Sequence, residues 1–202
     1  EGVEEKRKAF EKLGIKYVFY LQKDKISPKQ TVAKLAKDAA CIVTDDFPCF
    51  IIPQHNERIS DKAKVPAYAV DSNGIIPMCK FEKEEYGAYT IRPKIKKILS
   101  NYLKPFTEEK LEIKKPGIRV DCPDTKVTES GIATLVAECD IDHSVPPSDH
   151  YHGGTANGRK RLKKFLNDIL PNYETGRNKP DRDGSSRLSS YLHFGFLSPL
   201  EI

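Results

Sequence analysis

Four serines, Ser185, Ser186, Ser189 and Ser190, crowd the turn pair Asp183-Gly184 near the end of the chain. Leu188, Tyr191 and Leu192 follow at i, i+3, i+4, and Gly195 closes the segment, so the pattern predicts a loop feeding a short helix. Hydroxyls beside the unpaired N–H groups of a helix start can hold a phosphate or pyrophosphate. Ser185 and Ser186 are also good N-cap residues, and serines at a helix start more often only cap it. Local chemistry leaves both roles open.

The residues leading into this loop are basic. Between 151 and 182, eight cations (Arg159, Lys160, Arg161, Lys163, Lys164, Arg177, Lys179, Arg182) face three acids (Asp168, Glu174, Asp181), which equals the net charge of +5 of the whole chain. Such a run is commonly a solvated helix face, but ahead of a phosphate-type loop it also suits a polyanionic partner. Tyr173 precedes Arg177 by four residues and reads, on its own, as a half-buried aromatic at a helix end. The five cysteines, Cys41, Cys49, Cys79, Cys122 and Cys139, are odd in number and scattered, and imply free thiols in a reducing compartment. His143, His150 and His152 lack regular metal-ligand spacing.

The wording of the loop carries a resemblance. Gly184 to Ser189, then Tyr191-Leu192-His193-Phe194-Gly195 and Ser198-Pro199, resemble the flavin-binding signature of the photolyase and cryptochrome family. A second stretch, Glu85-Tyr86-Gly87-Ala88-Tyr89-Thr90-Ile91-Arg92-Pro93-Lys94-Ile95, is similar to a segment of the class II photolyases. The resemblance implies light-driven repair of cyclobutane pyrimidine dimers in DNA, in which reduced FAD passes an electron to a flipped-out lesion and recovers it after the ring splits. No side chain then serves as acid, base or nucleophile; the protein binds and orients the cofactor. By the same resemblance Tyr173, Ser185, Ser186, Arg187, Leu188 and Ser189 contact FAD, and Arg177 contacts DNA phosphate. It further implies a monomer, cytoplasmic or, in a eukaryote, nuclear, with a second chromophore of deazaflavin or folate type. Two departures, Lys179 where class II members usually carry Asp and Ser190 where they usually carry Pro, put the subclass in question. A cryptochrome-like photoreceptor without repair activity shares these motifs.

The elements that must position these residues alternate in type. Helices are expected over Glu4–Leu13, Lys29–Ala40 and Pro53–Ala63, short apolar runs at 16–21 and 41–44 read as buried strands, and 66–70 reads as a third strand. Helices between strands predict a parallel sheet with right-handed crossovers. Acids after those strands, Asp45, Asp46 and Asp71, could form a ligand rim or simply hold the next turn. The fold class is therefore α/β, and the resemblance implies a Rossmann-like antenna domain over 1–104 that lacks its first strand. A linker over 105–150 follows, with a short helix at 131–136, and then the beginning of an all-α FAD-binding domain over 151–202.

In that last region Gly158 to Leu170 has helical spacing, with Leu162, Phe165, Leu166, Ile169 and Leu170 as its apolar stripe. In the stretch leading into a helix with Ile95, Ile98, Leu99 and Leu103, Arg92 is placed to satisfy carbonyls or a carboxylate between domains. No apolar run approaches the roughly 18 residues that cross a bilayer. The sequence starts without Met inside a helix and stops after Ser198-Pro199, so it reads as part of a longer protein that is inactive alone.

Overall fold

A computed structural model of the chain describes residues 1–23, 31–105 and 120–202. Most of the first stretch of the proposed linker, 106–119, and the predicted helix start at Lys29 and Gln30 lie outside those residues. Two compact units form: Glu1–Ser27 together with Lys110–Ile202, and Pro28–Glu109.

The second unit holds the sheet. Strands β1 (Ile42–Asp45) and β2 (Ala67–Val70) pair in parallel, with Ile42 opposite Ala67 and Asp45 opposite Val70. Helix α1 (Val3–Lys12) belongs to the other unit; here α2 (Thr31–Ala36) and α3 (Ile52–Lys62) supply the helical layer, and α3 packs on both α2 and β2. The alternation read from the sequence thus gives a small parallel pair, in line with an α/β chain. However, β1 is not buried as expected: it alternates half-buried and exposed residues, and all four residues of β2 are exposed, because a two-stranded sheet has too few neighbours to cover its faces. The acids at the strand ends hold turns. Asp45 accepts bonds from the Ser72 hydroxyl at 2.6 Å and the Asn73 amide at 3.4 Å, and Asp71 accepts the Met78 N–H at 2.8 Å. Helix α4 (Ala88–Tyr102) starts where Thr90 bonds the Gly87 carbonyl at 2.8 Å. Arg92 on α4 is exposed and has no carbonyl or carboxylate partner among the described residues.

In the first unit the run 16–21 is not a strand. Its amides are taken by side chains: Phe19 N–H donates to Asp124 at 3.1 Å and Leu21 N–H to the Thr125 hydroxyl at 3.1 Å. Only the Phe19 carbonyl, accepting from Thr125 N–H at 2.6 Å, makes a ladder-type bond to that segment. Arg7 of α1 completes the junction with a bidentate pair to Asp124 at 2.8 and 2.9 Å. These bonds join α1 to residues more than a hundred positions away, so α1 packs with the carboxy-terminal elements.

The Arg7 guanidinium, with help from the Phe19 amide, pulls the Asp124 carboxyl down from 3.8 to about 2. A carboxylate with a depressed folded value adds stability that is complete above about pH 4 and disappears as pH falls toward 2. Asp124→Asn should therefore flatten the acid limb of stability in the complete protein, read by urea unfolding near pH 5 and pH 2.5. Parallel losses in the variant and the parent would contradict this.

Helix α5 (Ile132–Ala137) matches the short helix expected there. Helix α6 (Thr155–Lys164) is capped in trans: the Glu5 carboxylate accepts Thr155 N–H at 2.8 Å and Ala156 N–H at 3.0 Å, satisfying orphan donors and the positive end of the helix dipole. After Lys164 the helix widens into a π-helical turn, Phe165–Ile169, and tightens into a 3-10 turn, Leu170–Asn172. Pro171 has no N–H to continue an α ladder, and Leu170 N–H instead reaches back to the Phe165 carbonyl. The wider turn slips the helical phase. Leu162 and Ile169 stay buried, but Leu166 and Leu170 of the predicted stripe turn outward, at 44% and 46% exposure.

Candidate functional site

The serine loop rests on a small core. Leu162 of α6 packs with Leu188, Tyr191 and Leu197, with Phe196 against their edge. Gly158 makes this possible, since a Cβ there would sit 3.0 Å from Leu197 and 3.1 Å from Tyr191. Tyr191 also donates its hydroxyl to the His152 carbonyl at 3.1 Å. Helix α8 (Ser189–His193) begins at Ser189 with Leu188 as its cap residue, and Gly195, at φ +65°, ends it. Of the two roles left open for Ser185 and Ser186, capping is not observed: they lie ahead of the helix, and no side chain caps it. Leu192, expected beside Leu188 and Tyr191, is 38% exposed because a helix this short has one buried face only.

The serines instead line a cavity of about 400 Å³ bounded by Tyr151 and residues 185–190. Among the described residues, none of the hydroxyls of Ser185, Ser186, Ser189 and Ser190 has a hydrogen-bond partner. Leu188 is 2% exposed, so its side chain is an anchor and only its backbone can face the cavity. Arg187 is left-handed at φ +52° and Leu188 follows at φ −96°, ψ −5°. Alternation of hand turns successive N–H groups to one side, the geometry of anion-binding concavities.

Arg161 of α6 holds this loop from behind. Its guanidinium donates to the Ser186 carbonyl at 2.7 Å, the Ser185 carbonyl at 2.6 Å and both Asp183 carboxylate oxygens at 2.7 and 2.8 Å. Asp183 also pairs with Arg187 at 3.0 Å and Lys164 at 3.6 Å. The Arg161 bonds bring its carboxyl from 3.8 to about 2. Three cations around one carboxylate leave the rim positive.

Neither Arg161 nor Asp183 stood out in the sequence, where one counted toward a basic flank and the other toward a turn. The available signal was spacing: Arg161 follows Gly158 by three residues and so shares its inward side.

Tyr173 and Arg177, on α7 (Tyr173–Gly176) and just past it, are brought together. The Tyr173 ring meets Phe165 edge-on at 5.7 Å, and the Arg177 guanidinium lies 5.7 Å from the Tyr173 ring centroid. Arg177 is exposed. The end of α7 abuts the start of the serine loop through Gly176 and Gly184, whose Cα lies 3.5 Å from the place of a Gly176 Cβ. The two groups thus touch through Gly176 and Gly184, while neither Tyr173 nor Arg177 lines the serine cavity.

The chain is 31% identical over 201 residues to a deoxyribodipyrimidine photo-lyase of Methanothermobacter thermautotrophicus, covering 99% of this chain and 42% of that protein. It is also 31% identical to those of Potorous tridactylus over 160 residues, covering 78% of this chain and 29% of that protein, and Arabidopsis thaliana over 195, covering 89% and 37%. The chain belongs to the photolyase family. It spans less than half the length of these curated relatives. No family model matches it. The match with the Methanothermobacter photo-lyase runs over nearly all of this chain.

All five cysteines are free thiols, as their scatter implied. Among the described residues no group of His, Cys, Asp or Glu is placed to hold a metal ion. None of the described helices is long and apolar enough to cross a membrane.

Proposed function

We propose that the complete protein repairs cyclobutane pyrimidine dimers in DNA by light-driven electron transfer from reduced FAD, as a class II-like photolyase. The observation that carries this reading is the set of unpartnered serine hydroxyls around a positive cavity, on a loop whose wording is that of the family's flavin signature. A capping role would have consumed those hydroxyls. Donors of this kind, with Arg187 beside them, fit a phosphate or pyrophosphate group. Ser185, Ser186 and Ser189 and the backbone of Arg187 and Leu188 would hold that end of FAD, and Tyr173 would pack against the flavin. When bound, FAD supplies the photochemistry. Arg177, exposed and braced on Tyr173, would neutralise a DNA phosphate. The domain partition at 104 and 150, a Rossmann-like antenna unit with a deazaflavin or folate, a monomeric state, and a cytoplasmic or nuclear location complete the proposal.

Ser186→Ala and Ser189→Ala should each weaken FAD binding by about 1.5 to 3 kcal/mol, the range for hydrogen bonds to charged groups. Flavin fluorescence after dilution reads this out. Arg177→Ala should leave the flavin spectrum intact and make the slope of log DNA affinity against log salt shallower by roughly 0.7 to 0.9. Loss of flavin with an unchanged slope would move Arg177 into the cofactor shell. Blue-light repair of a thymine dimer by the complete protein tests the activity; flavin binding without repair would point to a photoreceptor.

A further inference from the structure

We propose that Arg161 is a positioning residue for the cofactor's phosphate end: it fixes the peptide planes of the serine loop so that their amides face the cavity. The inference rests on the reading of that loop as an FAD phosphate cradle. Arg161 is side chain to α6, which is a regular helix seated on the Leu162 core, and only 15% of that side chain is exposed. Its planar fork is fully directed at the loop, with one bond to each of two successive carbonyls and two to Asp183.

A trans peptide points its C=O and N–H in opposite directions. The Ser185 carbonyl turned to Arg161 therefore sends the Ser186 N–H away from α6, and the Ser186 carbonyl does the same for Arg187 N–H. Among the described residues neither amide has an acceptor. Both flank the cavity lined by Ser185 to Ser190. Without the fork, these two peptides are free to rotate, and the donors lose their common direction before any ligand arrives. Asp183 orients the fork in turn, and brings Arg187 to the same rim at 3.0 Å.

Lysine is a point charge and cannot satisfy two carbonyls and a carboxylate in one plane. Arg161→Lys in the complete protein, stripped of flavin and titrated with FAD and with riboflavin, separates positioning from general loosening. Riboflavin carries the same ring system without phosphate. The variant should weaken FAD by about tenfold to a hundredfold and riboflavin by less than about twofold, on the scale of charged hydrogen bonds. Asp183→Asn, which keeps the shape of the side chain, should weaken FAD in the same selective way by a smaller factor.

Equal weakening of both ligands overturns the proposal, since it would mark Arg161 as a mere structural strut. So does an unchanged FAD affinity in Arg161→Lys while Ser186→Ala remains selective for FAD; the cradle would then stand without its positioning residue. If Ser186→Ala and Arg161→Lys are both silent toward FAD, the cradle itself is refuted along with it.

Discussion

Leu188→Ala should lower the stability of the complete protein by about 2 to 5 kcal/mol and release its flavin, although this side chain touches no ligand-facing surface. Leu188 is 2% exposed and packs on Leu162, Tyr191 and Leu197. The site has little room to collapse around a lost side chain. Tyr191 and Leu197 already sit against Gly158, and α6 cannot come nearer without meeting them. The effect should therefore lie toward the upper part of the range. The same residue links Arg187, in its left-handed conformation, to Ser189 at the start of α8, so the cavity created below the loop loosens the loop as well. Leu192→Ala supplies the contrast, because that side chain is 38% exposed despite its place at the same helical spacing. It should cost well under about 1 kcal/mol. Urea unfolding of the two variants decides the matter, and similar losses for both would show that the core under the loop is wrongly described.

The contrast between Leu188 and Leu192 is also a measure of what spacing can convey. Helices α1, α3 and α5, and the existence of strands β1 and β2, follow from local pattern because each has its signal within a few residues, such as the Pro in the first turn of α3, whereas α4 starts at Ala88, ahead of the Ile95 stripe that announced it. The run at 16–21 has an equally good strand pattern. Its bonding is decided by Asp124 and Thr125, which no local window contains. The outward turn of Leu166 and Leu170 was closer to legible, since Pro171 stands at the end of the stripe and disturbs the ladder before it.

The loop followed the same division. Its serines, the left-handed pivot and the terminal glycine are contiguous, so their association is visible in the sequence. Their freedom from capping is not, because it depends on Leu188 and not a serine taking the cap position. The fork from Arg161 spans 22 residues to Asp183, and a cation count cannot tell a buried guanidinium from the solvated ones on either side. The order of burial on α6 carries that distinction: Gly158 and Leu162 are buried, Arg161 is half-buried between them, and Lys160 and Lys163 are exposed.

Gly184→Ala should disable the loop while Gly176→Ala leaves it intact, although the two glycines face each other across one contact. A Cβ on Gly184 would overlap the Gly176 carbonyl and lie 3.0 Å from its Cα. The obstacle is backbone, so no side chain can swing aside; the loop must move away from α7 instead. Overpacking of this kind costs about 1 to 3 kcal/mol in stability. Its effect on binding should be larger, because the displaced residues are Asp183 and Ser185, both of which are bonded to Arg161. A Cβ on Gly176 would lie 3.5 Å from the Gly184 Cα and 3.9 Å from its carbonyl oxygen, which is ordinary contact. Gly176 ends α7, where alanine also lowers the entropy lost on folding, so that variant should be neutral or stabilised by about 0.5 to 1 kcal/mol. FAD titration of the two variants, with thermal melting as the companion measurement, reads the asymmetry. Comparable flavin loss from both would mean that the close approach of α7 to the loop is not what sets the loop's position.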